Sequence, residues 1–401
     1  MRHKMIEAFK NAQGGLFTSV EKADVGGAYQ ELEKRGTTLM GWADPFMPDK
    51  SLPKHIEEAL IKEITAPSCT HYTSPIGSQE LKDALAKKLW KVNHLKVDPF
   101  RNILITPGSD SGLYLAILPF INDGDEVILP VPCYPNNLLG IDIMGGKKVY
   151  VPLHQENHYQ LVAEDLEKAY TEKTKMVILT HPNNPTTTVY NKESLQVLRE
   201  FVIKHDLILV CDQAFEDYCY ENEFITPASM EGMFERTLTV FSFSKGYGLS
   251  GLRIGYIVCC DEILDTLYAN AVGVIGTTNT ACQRAAITAV EDNAYMVEYE
   301  KEFNERRHMA YEIINSIPNV SMELPESGFL AWVDVSKVGD SSEIVDYLLK
   351  EANVSVNDGK NYGPGGEGHL RIVLGVYRDA KKVEEALLRI KDALITYQSS
   401  K

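Results

Sequence analysis

Short apolar runs alternate with amphipathic helical stretches between about Ser51 and Glu291, and this alternation constrains the fold more than any other feature of the sequence. Strands that alternate with helices are typical of an α/β domain with a largely parallel sheet. The sequence therefore predicts a mostly parallel seven-stranded sheet flanked by helices, with strands at Ile103–Thr106, Glu126–Leu129, Lys148–Val151, Met176–Thr180, Leu207–Cys211, Leu238–Ser242 and Gly255–Cys259.

The chain beyond about residue 292 has a different pattern. A long polar helical stretch is followed by short strands near Val354 and Leu370 and by a closing helix from about Asp379 to Tyr397. A chain of 401 residues is long enough for two or three domains. We predict a large α/β domain over residues 51–292 and a smaller α+β domain over residues 293–401, to which residues 1–50 contribute an N-terminal arm.

The charge and cysteine content exclude several classes of function. A formal net charge of −16 argues against nucleic acid or an anionic membrane as partner, since either would need a local basic stripe and the sequence has none. The seven cysteines are odd in number and scattered, which favours reduced thiols and a cytoplasmic location. No apolar run is long enough to span a bilayer, so we predict no membrane anchor, and we predict no metal site.

Polar residues follow the predicted strands at the points where ligands bind in open α/β sheets. A glycine, a serine and an aspartate that precede a helical run after the first strand predict an anion site, because free backbone N–H groups gather at a helix N-terminus. The residues of interest after the successive strands are Gly108, Ser109, Asp110, Tyr134, Asn184, Asp212, Ser242, Ser244, Lys245 and Arg253.

This combination of residue types fits pyridoxal 5'-phosphate. The cofactor's aldehyde needs a lysine amine for a Schiff base, and its phosphate suits a helix N-terminus with hydroxyls and a guanidinium. A buried carboxylate such as Asp212 would keep the ring nitrogen protonated. Gly246, Gly248 and Gly251 also spell G-x-G-x-x-G, but a strand pattern follows where a dinucleotide-binding motif requires a helix.

The motifs SFSKGYGLSGLRIG, PNNP before a strand that ends in aspartate, and GHLRI near the C-terminus resemble those of the class I and II aminotransferases, which have PLP fold type I. The resemblance runs from about Gly41 to the last helix. It implies that Lys245 forms the Schiff base and moves a proton at the substrate Cα, that Asp212 binds the pyridinium nitrogen, and that Asn184 donates to the phenolic oxygen.

The resemblance also implies how the rest of the cofactor and the substrate are held. Tyr134 would stack on the ring, Arg371 would bind the substrate α-carboxylate next to Asn184, and Ala43 lies in the segment expected near that carboxylate. Tyr72 would reach the phosphate of a partner subunit, which implies a homodimer. The phosphate would be held by Gly108, Ser109, Asp110, Ser242, Ser244 and Arg253.

The segment GWADPFMPDKSLP departs from the family pattern, with Gly41, Trp42 and Ala43 as candidates for the family's glycine near the substrate carboxylate, and two further positions depart as well. Thr187 stands where glycine is frequent, and Phe215 stands where a tyrosine usually donates to the cofactor's phenolic oxygen. Because phenylalanine cannot donate, we expect a higher pKa for the lysine–cofactor imine than in relatives with tyrosine.

The leading interpretation is an aminotransferase that moves the amino group of an L-amino acid to a 2-oxo acid in a ping-pong cycle. A lyase of the same fold, such as a carbon–sulfur β-lyase, an aminocyclopropane-carboxylate synthase or a decarboxylase, would share these motifs, because the bond that breaks depends on its alignment against the ring. A non-catalytic regulatory protein that binds the cofactor is a third alternative, although no DNA-binding helix-turn-helix pattern precedes the main domain.

Overall fold

The computed structural model describes residues 31–32 and 34–400. Residues 1–30, which make up most of the predicted N-terminal arm, lie outside this range. The described strands are β1 (Thr38–Leu39), β2 (Ile103–Thr106), β3 (Glu126–Val131), β4 (Lys147–Pro152), β5 (Thr174–Thr180), β6 (Ile208–Asp212), β7 (Thr237–Ser242), β8 (Gly255–Val258), β9 (Ser321–Met322), β10 (Leu330–Asp334), β11 (Val354–Ser355), β12 (Asn357–Asp358) and β13 (His369–Val373).

The central sheet has seven strands in the order β2-β8-β7-β6-β5-β3-β4. Strand β8 is antiparallel to both of its neighbours, and the other strand pairs are parallel. The predicted α/β fold and its mostly parallel sheet are therefore confirmed, and each predicted strand matches an observed one to within two residues. The carboxyl ends of β5, β6 and β7 lie side by side at one edge of this sheet.

Helices cover this sheet and the smaller sheet described below, and those on the central sheet account for its continuous apolar strands. They are α1 (Lys54–Thr65), α2 (Gln79–Asn93), α3 (Pro99–Asn102), α4 (Ser109–Ile117), α5 (Pro135–Met144), α6 (Ala163–Ala169), α7 (Lys192–Lys204), α8 (Asp261–Val274), α9 (Thr280–Glu291), α10 (Tyr295–Asn315), α11 (Ser341–Tyr347) and α12 (Ala380–Ser399). Along β5, Met176 and Ile178 join the core on one face of the sheet, while Val177 and Leu179 join the core on the other. A strand buried on both faces must be apolar at every position.

The helix α7 shows how the sequence fixes one of these covering elements. The side-chain oxygen of Asn191 accepts a hydrogen bond from the Ser194 backbone N–H at 2.8 Å and caps the first turn. Leu195, Leu198 and Phe201 recur at helical spacing and are buried against the sheet. Full burial of each such side chain contributes about 1.5–3 kcal/mol to the free energy of unfolding.

A second, smaller sheet is antiparallel and has the strand order β12-β13-β10-β9. Helices α10, α11 and α12 pack on it, and their apolar side chains form one core with its strands. Met40 and Phe46, which precede the first helix of the central sheet, are fully buried in this same core. The segment around residues 40–46 is therefore anchored in the core of the smaller sheet, and its Ala43 backbone oxygen accepts from Lys245 at the central sheet.

Within the part of the chain that the structure describes, no helix is long and apolar enough to cross a membrane.

Candidate active site

A cavity of about 560 Å³ opens at the carboxyl ends of β5, β6 and β7, where the two sheets meet. Most of the residues that the sequence analysis selected line this cavity. Those that line it are Ala43, Ser109, Asp110, Tyr134, Asn184, Asp212, Ser244, Lys245, Arg253 and Arg371. The fold thus brings together side chains from segments more than 300 residues apart in the chain.

The first turn of α4 forms one end of the cavity and is suited to an anion. Gly108 precedes the helix with φ of +82°, a left-handed conformation that glycine adopts without strain. A Cβ atom on Gly108 would lie 2.4 Å from Nη2 of Arg253, so the guanidinium stands directly over this turn. Free backbone N–H groups, the Ser244 hydroxyl and a guanidinium together make a site for a phosphate dianion.

Asp212 lies at the end of β6, buried at the floor of the cavity. Its carboxylate accepts one hydrogen bond, from the Ala214 backbone N–H at 3.1 Å. Burial, followed by the charge of Asp110, raises the pKa of Asp212 to about 7 despite that hydrogen bond and the positive charge of Lys245. A positively charged donor, such as a protonated ring nitrogen, would stabilise the ionised form of this buried carboxylate.

Lys245 follows β7 and projects into the same cavity. Its Nζ donates to the Ala43 backbone oxygen at 2.5 Å and lies 5.5 Å from the centre of the Phe215 ring. Burial, assisted by the positive charge of Arg371, lowers the pKa of Lys245 to about 8, although Asp44 acts in the opposite direction. A lowered pKa increases the neutral amine fraction at neutral pH, which is the form that attacks an aldehyde.

Arg371, on β13, brings the smaller sheet to the cavity. Its guanidinium donates to Asn184 Oδ1 at 3.1 Å, to the Gly41 backbone oxygen at 2.8 Å and to Asn357 Oδ1 at 2.6 Å. The side chain is 1% exposed and its Nε has no hydrogen-bond partner within the described structure. A buried guanidinium without a carboxylate partner can bind a planar anion, such as the carboxylate of a ligand.

Tyr134 and Asp110 form a hydrogen bond at the wall of the cavity. The Tyr134 hydroxyl donates to Asp110 Oδ1 at 3.1 Å, and Asn136 Nδ2 donates to the same oxygen at 2.9 Å. Burial and the nearby Asp110 charge raise the pKa of Tyr134, which therefore stays protonated. These bonds fix the plane of the Tyr134 ring at the wall of the cavity.

Some predicted residues do not line the cavity. Ser242 is buried, and its hydroxyl oxygen accepts the Ser244 backbone N–H at 3.1 Å, which leaves its own O–H to donate, so its contact with the phosphate stays a prediction. Gly108 acts only through the turn described above. Tyr72 lies outside this chain's cavity and is 93% exposed.

Other residues at the site were not predicted from the sequence. Asp44 and Asn136 line the cavity, and Asn357 holds Arg371 from the neighbouring strand β12. Trp42, a candidate for the segment near the substrate carboxylate, lines the cavity too. Asn136 could have been found, because it lies two residues after Tyr134 at the start of α5. Asn357 carries no local signal, since its position depends on how β12 pairs with β13.

The two departures from the family pattern have clear positions. Phe215 lines the cavity beside Lys245, where its ring offers no hydrogen-bond donor. Thr187 is buried and adopts φ of +66°, which explains why glycine suits this position. The Ser327 hydroxyl donates to the Thr187 backbone oxygen at 2.8 Å and holds this turn.

These observations fit pyridoxal 5'-phosphate. The cavity supplies an amine with a lowered pKa, a buried carboxylate that lacks a cationic donor, a helix N-terminus beside a guanidinium, and an aromatic wall. These are the groups that its aldehyde, ring nitrogen, phosphate and ring face require.

Comparison with known proteins gives concordant results. Residues 39–390 match the family model described as aminotransferase class I and II. The chain is 33% identical to an aspartate aminotransferase of Pyrococcus abyssi, over 86% of this chain and 90% of the relative. It is 32% identical to an aromatic-amino-acid aminotransferase of Thermococcus litoralis, over the same shares. The crystal structure of an aromatic aminotransferase from Pyrococcus horikoshii superposes with a TM-score of 0.85 at 30% identity, covering 91% of this chain and 98% of that one.

Proposed function

The chain belongs to the class I and II aminotransferase family and is a pyridoxal-phosphate-dependent transaminase, and we propose that Lys245, Asp212 and Arg371 carry its reaction. The curated relatives are named aminotransferases or transaminases, so the lyase alternative is not favoured. The observation that carries the residue assignment is the meeting of these three side chains in one cavity.

Pyridoxal 5'-phosphate, when bound, supplies an aldehyde that links to amines and a ring that accepts the electron pair released at the substrate Cα. Asp212 holds the proton on the ring nitrogen. The helix α4 N-terminus, Ser244 and Arg253 bind the phosphate. The Tyr134 ring packs against the cofactor ring. Asn184 uses its oxygen to accept from Arg371, which leaves its amide N–H groups to donate to the phenolic oxygen.

Lys245 acts first as the attachment point and then as the group that moves a proton. With the cofactor bound, the neutral Lys245 amine would take the proton from the substrate Cα, and the resulting ammonium would donate a proton back. Arg371 binds the α-carboxylate with its planar fork and thereby holds Cα within reach of Lys245. The substrates of the family are an amino acid and a 2-oxo acid, and we propose that this enzyme uses both in alternation.

The assignment of Lys245 is tested by trapping and by single turnover. Borohydride reduction of the loaded enzyme, followed by peptide mapping, is expected to place the label on Lys245. A Lys245→Ala variant is expected to lose at least about 10³-fold in the rate at which an L-amino acid converts the bound cofactor to its amine form. Lys96→Ala, at an exposed lysine, serves as the control. A label on another side chain would overturn the assignment.

We further propose that the enzyme is a homodimer in which Tyr72 serves the partner's site. The proposal is supported by a tyrosine that is 93% exposed in the single chain and by exposed apolar side chains on α1 and α8, namely Ile61, Ile64, Val272 and Val274. Co-expression of Lys245→Ala and Tyr72→Ala chains tests it. Mixed dimers would contain one intact site each, so roughly a quarter of all sites should be active. No recovery above either variant alone would refute it.

The domain division and the location of the protein are also proposals. The division into residues 51–292 and 293–401, with residues 1–50 as an arm, is supported by the separate cores of the two sheets, and limited proteolysis tests it. A cytoplasmic location is supported by seven free cysteines. Cell fractionation that placed the enzyme elsewhere would contradict the second proposal.

A further inference from the structure

The loop that carries Lys245 is held at successive backbone oxygens. The Lys245 oxygen accepts from the Gly248 N–H at 3.1 Å, and the Gly246 oxygen accepts from the Tyr218 hydroxyl at 2.6 Å. The Tyr247 oxygen accepts from the Tyr295 hydroxyl at 3.1 Å. A backbone held in this way stays fixed while the long lysine side chain changes position. This suits an amine that must bind the cofactor, release it and then transfer a proton.

Gly246 is held on both sides by two consecutive residues. Its N–H donates to the Asp217 carboxylate, and its oxygen accepts from the Tyr218 hydroxyl. A Cβ atom on Gly246 would lie 2.1 Å from Asp217 Oδ2, so Asp217 packs directly on the backbone and leaves no room for a side chain. Since the Gly246 N–H belongs to the peptide group that also contains the Lys245 carbonyl, Asp217 restrains the lysine's own backbone.

Asp217 and Tyr218 lie only five and six residues after Asp212. The turn that joins them is fixed at its ends. The Ala214 N–H donates to Asp212, and the Tyr218 backbone oxygen accepts from the Gly328 N–H at 2.8 Å. One short segment therefore carries both the carboxylate for the ring nitrogen and the groups that hold the lysine loop.

We propose that Tyr218 and Asp217 are positioning residues for Lys245. They act through the Gly246 backbone and set where the amine stands relative to Asp212, and hence relative to the cofactor. The proposal rests on the assignment of Lys245 made above. A displacement of about 1 Å at a reacting group is enough to cost roughly 10²-fold in rate, so a small rotation of this backbone would be measurable.

Tyr218→Phe is the sharpest test, and the same segment supplies its control. The Tyr218 ring is 2% exposed and packs on Phe303 with ring centres 5.6 Å apart, so phenylalanine keeps the packing and removes only the hydrogen bond. Tyr220 also donates to a backbone oxygen, that of Gly328, at 2.5 Å. Tyr220→Phe therefore removes a comparable bond that does not reach the lysine loop.

Two rates are measured at saturating pyridoxal phosphate. The first is the rate at which Lys245 becomes attached when the cofactor is added to the cofactor-free full chain, followed by borohydride quenching and intact mass. The second is the single-turnover rate with an amino acid, followed by absorbance. We expect Tyr218→Phe to slow both by about tenfold, with the KM for the amino acid changed less than about twofold, and Tyr220→Phe to leave both within about twofold.

Equal effects of the two variants, or a change in Tyr218→Phe confined to cofactor affinity or to melting temperature, would overturn the proposal. If Tyr218→Phe does not fold, Asp217→Ala replaces it, with the same slowing expected and an unchanged rate counting against the idea. Peptide mapping of the trapped wild-type protein separates the two proposals. A label on a residue other than Lys245 would refute the assignment of the lysine, whereas a label on Lys245 with unchanged rates in the variants would refute only the positioning role.

Discussion

Replacing Asp212 with asparagine should stabilise the cofactor-free protein at alkaline pH while it disables the enzyme. The carboxyl is buried, and burial is the largest cause of its pKa of about 7, against an ordinary value of 3.8. A shift of this size means that ionising Asp212 in the folded protein costs about 4 kcal/mol more than in the unfolded chain. Asparagine has nearly the same shape, can still accept from the Ala214 N–H, and carries no charge.

The sign of the effect follows from the two pKa values. Below about pH 4, both folded and unfolded states hold the proton, so the variant and the wild type should have similar stability. Between about pH 4 and pH 7 the unfolded carboxyl ionises first, and the wild type loses stability progressively as the pH rises. Above about pH 7 the penalty is complete, so the variant should be more stable by up to about 4 kcal/mol.

Urea unfolding of the cofactor-free protein at about pH 5 and about pH 8 measures this difference, at equal protein concentrations. Asp265→Asn, at an exposed aspartate on α8, is the control and should show no pH-dependent gain. In the loaded enzyme the same Asp212→Asn change should lower the single-turnover rate by at least about 10²-fold, because a neutral amide no longer holds the ring nitrogen's proton. A variant equally or less stable than the wild type at about pH 8 would refute the reasoning.

Three further changes have expected outcomes. Arg371→Lys should raise the KM for the amino donor by about 10–100-fold, with a smaller change in kcat, because a lysine cannot reproduce the planar guanidinium fork. An unchanged KM in steady-state assays would contradict this role. Phe215→Tyr should lower the pKa of the lysine–cofactor imine in an optical titration, and no downward shift would count against a missing donor there. Lys88→Met should reduce the free energy of unfolding by about 3–5 kcal/mol in urea, since it leaves the buried Glu216 carboxylate without its cation; a loss below about 1 kcal/mol would show that Glu216 is not buried as the structure has it.

Residues that follow a strand directly could be placed from the sequence. Asp212 ends β6, and Lys245 follows β7 by three residues, so the strand pattern alone carries both to the same edge of the sheet. The same holds for Tyr134 after β3. The glycine and serine that open α4 were likewise predictable, because a helix N-terminus after a strand is a local feature.

Other parts of the site depend on tertiary packing that no local pattern encodes. Trp42 and Asp44 reach the cavity because Met40 and Phe46, on either side of them, are buried in the core of the smaller sheet. Asn357 becomes a partner of Arg371 through the register that pairs them across β12 and β13. Ser242 was assigned to the phosphate by resemblance, and this stays a prediction, since the hydroxyl accepts the Ser244 N–H and keeps its own O–H to donate.

Arg371 touches three parts of the chain that are distant in sequence, through Gly41, Asn184 and Asn357. An incoming carboxylate would join a guanidinium that already connects the smaller sheet, the loop after β5 and the segment at Gly41. Substrate analogues that carry a carboxylate but no amino group should therefore slow proteolytic cleavage near Gly41, Asn184 and Asn357. Such an anion does not react at the lysine, but it offsets the positive charge of Arg371 that helps to lower the pKa of Lys245.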